Sequence, residues 1–171
     1  MGIILDFYGP SDDAGELMGM FDAVVESGFS LANHAAERGM DTELFFCNKR
    51  EEDRRVESWG EDEMPALIDE MPQMSNLETD KQKAINILRD QVTSQYGQNN
   101  IVVCSADLDP ELISAVIEAK VRLRAPMFVA VVPPALDGRA LDKYCSNLSR
   151  LDAVDIPYKI ISRSDDLLEV M

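Results

Sequence analysis

The chain of 171 residues carries 32 acidic against 16 basic side chains, for a formal net charge of −16, and is 46% hydrophobic. That balance excludes a disordered chain, and the length suffices for one domain to bury a core without disulfides or metals. The charge repels phosphate backbones and anionic lipid, which leaves a cation or the basic surface of a protein as the partner it attracts, unless it serves solubility alone.

No apolar run approaches the roughly 20 residues that a bilayer-spanning helix needs. The first residues show neither the basic start nor the cleavage site of a secretory signal, so a soluble, cytoplasmic setting is expected, without direct membrane contact. Cys47, Cys104 and Cys145 are odd in number and widely spaced, which reads as reduced core cysteines.

Gly2 to Tyr8 is a short, nearly continuous apolar run, the pattern of a strand buried on both faces. It ends at Gly9-Pro10, and Asp13 with Glu16 then stand at capping-box spacing for a helix. Leu17, Phe21, Val24, Val25, Gly28, Leu31, Ala32 and Ala35 recur at helical spacing as far as Arg38, and Gly39 is a natural stop. Gly28 and the alanines would let that helix approach a sheet closely.

Thr42 to Cys47 predicts a second strand and Arg54 to Trp59 a third, paired as an antiparallel hairpin edge protected by its charges. Two helices are expected next, from Glu63 to Met71 and from Thr79 to Gln95. Ile101 to Cys104 is another buried strand, and Asp109-Pro110 places an N-cap before a proline at the first helical position. That helix is expected to reach Arg124, with Lys120, Arg122 and Arg124 complementing its C-terminal dipole. Met127 to Val132, a helix from Gly138 with Leu141, Tyr144, Cys145, Leu148 and Leu151 inward, and Pro157 to Ile161 repeat the strand-helix-strand beat. Ser164 and Asp165 would cap a last helical turn. The whole predicts one α/β domain over residues 1–171, three-layered and doubly wound, on a mostly parallel sheet of about six strands.

Ligands of open α/β sheets gather at the carboxyl ends of the strands, so the loops after Tyr8 and Cys104 are the places to search. They bring Asp6, Ser11, Asp12, Asp13, Ser105, Asp107 and Asp109, hard oxygen donors of the kind that hold magnesium or calcium. The plainer reading is that these residues are helix N-caps. Neither loop holds GxGxxG or a GK[ST] ending, and the acidic pair after Gly9 would repel phosphate. His34, the single histidine, falls near the end of the long helix, which removes a histidine-dependent triad or a zinc site. Cys47 has Lys49 and Arg50 nearby but no histidine to serve as its base. Trp59 on the edge strand fits either an interface or packing beneath the hairpin.

The order of elements resembles a von Willebrand factor type A domain over nearly the whole chain. Ser27 to Phe46 (SGFSLANHAAERGMDTELFF), with its small-residue helix, glycine stop and apolar strand, looks like bacterial proteins of domain-of-unknown-function family fifty-eight. The resemblance implies a sheet order of 3-2-1-4-5-6 and a place in the cytoplasmic part of membrane-anchored proteins that accompany MoxR-type AAA+ ATPases. The membrane spans and the basic, tryptophan-containing motif of that family are not among these residues, so the resemblance implies an excised portion.

Type A domains that bind metal carry DxSxS after the first strand. Asp6 matches the aspartate, but Tyr8 and Pro10 occupy both serine positions, so the resemblance implies a degenerate site without a metal or other cofactor. Asp107 stands where such domains place their last acidic ligand, and Thr79 roughly where they place a threonine. The function expected is a non-enzymatic protein-interaction module, whose rim of Asp6, Tyr8, Ser11, Asp12, Ser105, Asp107 and Asp109 meets a basic protein surface, with a AAA+ ATPase as the implied partner. The alternative is a metal-dependent hydrolase or phosphoryl-transfer domain using Asp6 and Asp107 on magnesium.

Overall fold

The computed structural model describes residues 1–9, 11, 13–47, 50, 52–56, 69, 71, 82–132 and 138–162. Its apolar runs become the strands β1 (Gly2–Asp6), β2 (Glu43–Cys47), β3 (Asp53–Val56), β4 (Asn100–Ser105), β5 (Ala125–Val132) and β6 (Tyr158–Ser162). The amphipathic runs become α1 (Ala14–Glu37), α2 (Gln82–Thr93), α3 (Pro110–Val121) and α4 (Gly138–Asp152). The six strands form one sheet in the order β3-β2-β1-β4-β5-β6, with every pairing parallel except that of β2 with β3. The expected three-layer α/β fold, strand order and antiparallel third strand are all present.

Because successive side chains of a strand point to opposite faces, each strand divides its residues between two cores. Ile3, Leu5, Leu44, Phe46, Val102, Cys104, Val129 and Val131 pack with α1. Ile4, Phe45, Ile101, Val103, Phe128 and Ala130 pack with α2, α3 and α4. Each fully buried aliphatic or aromatic side chain stabilises the fold by about 1.5–3 kcal/mol, so this two-sided burial is what holds the layers together.

Helix α1 begins where Asp13, in extended conformation, accepts the Glu16 N–H at 2.9 Å. The Glu16 carboxylate does not return to Asp13 as a capping box would have it. It accepts from the Ser11 hydroxyl, and Ser11 Oγ in turn accepts the Asp13 N–H, so the same donor is satisfied through one more side chain. The helix ends at Gly39, whose φ of 71° favours glycine. Across the layer interface a β-carbon on Gly28 would lie 2.4 Å from Leu5 Cδ2, which is the close approach its position predicts.

Several expectations are corrected. β1 stops at Asp6 rather than Tyr8, because the Tyr8 N–H turns back to Asp6 Oδ1 at 3.2 Å. Helix α3 stops at Val121, and Leu123 with Arg124 close it by bonds to Lys120 and Ala119. Arg124 therefore serves a different helix: its guanidinium donates to the carbonyls of Ser94 at 2.9 Å and Gly97 at 3.1 Å, just past the end of α2. The inward face of α4 is Tyr144, Asn147, Leu148 and Leu151, while Leu141 and Cys145 are exposed. Asn147 is drawn inward by its bond to the Leu108 carbonyl, at 2.7 Å. Of the three cysteines only Cys104 is core, where burial pushes its thiol up to about 12; Cys47 is half-buried. Residues 57–68, 70, 72–81 and 163–171, which include Trp59, Thr79, most of the expected helix from Glu63 and the expected last turn, lie outside the described residues. Among the described residues no helix is long and apolar enough to cross a membrane.

Candidate functional site

The strand order reverses between β1 and β4, and their carboxyl ends form the crevice where ligands of such sheets bind. The parallel register sets Ile4 beside Val103 and hence Asp6 beside Ser105, the last residue of each strand. The twofold alternation then puts Asp6 and Ser105 on the α2 and α3 side, continuing the rows Ile4-Asp6 and Val103-Ser105. Two polar side chains separated by 98 residues of chain thus end up side by side inside the molecule.

They are bonded to each other. Ser105 Oγ lies 2.7 Å from Asp6 Oδ2 and 2.9 Å from the Asp107 carbonyl oxygen, and it accepts the Asp107 N–H at 2.9 Å. Asp6 Oδ1 accepts the Tyr8 N–H. Asp6 is 6% exposed, Ser105 0% and Asp107 8%. A buried carboxylate lacks the solvation that stabilises its charge. Burial therefore pushes Asp6 from 3.8 up to about 7, with the bonds from Ser105 and Tyr8 pulling it down and the negative charges of Asp107 and Asp109 adding to the rise.

The loop beneath is held from three sides. Asp109 caps α3 by accepting the Glu111 N–H at 2.8 Å. Asn147 of α4 holds the Leu108 carbonyl, and Arg150 of α4 reaches Ser114 Oγ at 2.8 Å on α3. From α2, Gln82 Nε2 donates to the Glu111 carboxylate at 2.9 Å. Sequence reasoning missed the part played by Asn147. Its signal was the apolar spacing of Tyr144, Leu148 and Leu151, which places position 147 on the same inward face.

The structure brings three of the rim residues together and puts them beneath the surface: Asp6, Ser105 and Asp107. Tyr8, Ser11 and Asp109 are half-buried, Asp13 is exposed at the N-terminus of α1, and Asp12 lies outside the described residues. His34 is half-buried on α1 and Cys104 points into the opposite core, so neither belongs to this crevice.

A divalent ion would need hydroxyls or carboxylates turned towards it. Proline at position 10 has no side-chain donor, position 8 carries a phenol, and both oxygens of Asp6 already face hydrogen-bond donors. The carboxylates of Asp13 and Asp109 are turned to backbone N–H groups. Among the described residues no group of three or more His, Cys, Asp or Glu side chains is placed to hold a metal. The described residues do not fit the ion that the strand-end aspartate pattern would otherwise suit. Compared with known proteins, the chain matches no protein-family model, no curated protein and no solved structure.

Proposed function

We propose that this chain is a non-enzymatic protein-interaction module of von Willebrand A type with a degenerate metal-adhesion site. The observation that carries this reading is the sealed Asp6: the strand-end aspartate at the switch point is bonded to Ser105 and Tyr8 instead of standing open to an ion or a substrate. Asp6, Ser105 and Asp107 act as the floor of the rim. Tyr8, Ser11 and Asp109 are its contact residues, with Asp13 beside them; Asp12, which the sequence adds to the rim, lies outside the described residues.

The partner that suits an acidic rim on a chain of net charge −16 is the basic surface of another protein, and we infer a AAA+ ATPase of MoxR type in that role. Titration calorimetry of the chain against such a purified ATPase, at low and at high salt, tests this. Binding that weakens with salt and is lost in the double variant Asp13→Lys and Asp109→Lys is the expected result. Binding indifferent to those reversals, or no heat at all, rejects the rim or the partner respectively.

A further inference from the structure

We propose that β6 is a self-pairing edge: two copies of the chain join through Tyr158–Ser162 about a twofold axis perpendicular to the sheet at Ile160, so that one sheet runs through both.

In a parallel ladder alternate residues of a strand turn their N–H and C=O groups to the neighbour. The bond from the Phe128 N–H to the Pro157 carbonyl, at 3.0 Å, sets the phase for β6. Lys159 and Ile161 therefore face β5, and the N–H and C=O groups of Tyr158, Ile160 and Ser162 face outward. Among the described residues no strand lies beyond β6 to receive them. Open sheet edges are ordinarily blunted by charges, as β3 is by Asp53, Arg54 and Arg55, all exposed. β6 carries a single charge, Lys159, and beside it Ile160 is 45% exposed.

A second copy fits this edge in register and in charge. Two copies of one strand related by such an axis run antiparallel, and centring them on Ile160 sets Ile160 opposite Ile160 and Tyr158 opposite Ser162 of the second copy. Every outward N–H then meets an outward C=O. Lys159 falls opposite Ile161 of the second copy, so like charges do not stand directly across from each other. Residues 120–162, which supply β5, α4 and β6, hold seven basic against four acidic side chains, while the rest of the chain holds 28 acidic against nine basic. The β6 side thus carries an excess of positive charge in a chain of net −16, and copies that meet there keep their acidic portions apart. β1 lies three strand spacings from β6, about 14 Å, beyond the Debye length of about 8 Å at physiological salt. Because the strands of the two copies run in opposite directions, the two acidic rims open at opposite ends of the pair. The pairing itself does not rest on the rim reading.

Sedimentation equilibrium of the purified chain across the micromolar range tests the pairing with no other protein present. A reversible rise from the mass of one chain to that of two is expected, tightening as salt screens the residual repulsion, opposite in sign to the salt dependence of the rim. Ile160→Pro removes an outward N–H, leaves the bonds to β5 in place, and should raise the dissociation constant roughly ten- to a hundredfold. Ile160→Lys and Ile160→Glu each set a charge against its own copy on the axis and should be monomeric, with far-ultraviolet circular dichroism showing that the fold is kept. An equimolar mixture of these two should pair again, because position 160 meets position 160. A chain that stays monomeric across the range overturns the proposal. So does a dimer that persists in all three variants, or a mixture of the two folded charge variants that fails to pair. No ATPase takes part, so failure of the pairing and failure of ATPase binding are told apart.

Discussion

Replacing Asp6 by asparagine should remove a pH dependence from the stability of the fold. The native value of about 7 stands roughly three units above the 3.8 of an exposed aspartate. The native state therefore binds this proton more tightly than the unfolded chain does. The stabilisation is complete below the unfolded value near 4 and is lost progressively as pH rises to about 7. At about 1.4 kcal/mol per unit the full loss is on the order of 4 kcal/mol, of which about 3 falls between about pH 5 and pH 8. Asparagine cannot ionise and fits the same space, so its stability keeps only the dependence that the other charges supply. The repulsion among the 32 acidic residues is shared by both proteins, less one charge, and nearly cancels in the difference. Urea unfolding followed by far-ultraviolet circular dichroism at the two pH values gives that difference directly. Parallel stability profiles for the two proteins would refute the reasoning, because they would mean that Asp6 enters the folded state with no net preference for its proton.

Four further outcomes are expected. Tyr144 is 8% exposed and its hydroxyl has no hydrogen-bond partner among the described residues, so Tyr144→Phe should raise stability by about 1–2 kcal/mol in a urea titration. Leu123 occupies the left-handed region at φ 62° and is 92% exposed, so Leu123→Gly relieves backbone strain without loss of packing and should raise stability by about 1 kcal/mol in the same titration. Arg124→Ala removes the donors from the Ser94 and Gly97 carbonyls and should cost about 2–3 kcal/mol, with amide exchange quickening first at the C-terminal end of α2. Thermal melts in EDTA and in millimolar magnesium, manganese or calcium should coincide, for the chain itself and for Asp6→Ala and Asp107→Ala; a rise with one cation that both substitutions abolish would bring the metal-dependent hydrolase back.

Much of the fold is legible because it is local. The buried run IILD after Gly2, the run IVVC of β4 and the run MFVAVV of β5 each announce a strand within a few residues of its bounds. Asp13 and Asp109 announce the starts of α1 and α3, and Gly39 announces the end of α1. Leu123 shows where such signals fail: it takes the same left-handed position at the end of α3 that Gly39 takes at the end of α1, and a leucine gives no warning of a stop. With the helix ending early, the arginine that looks like part of its own last turn is free to bind the end of its neighbour.

The site is less legible because its meaning lies in a register. Each residue of the crevice reads as a plausible cap or ligand in its own loop, and Asp109 and Asp13 are indeed caps. That Asp6 meets Ser105 follows only once β1 and β4 are adjacent, parallel and aligned so that Asp6 pairs with Ser105. A slip of one residue would turn every side chain of β4 to the other face and set Ser105 against α1. The same apolar residues that lock the register, Ile4, Ile101 and Val103, therefore also fix the distance between the carboxyl and the hydroxyl. The chemistry of the crevice, a carboxyl whose titration burial raises to about 7 and which is bonded to one hydroxyl, is thus a property of the packed sheet and of no segment by itself.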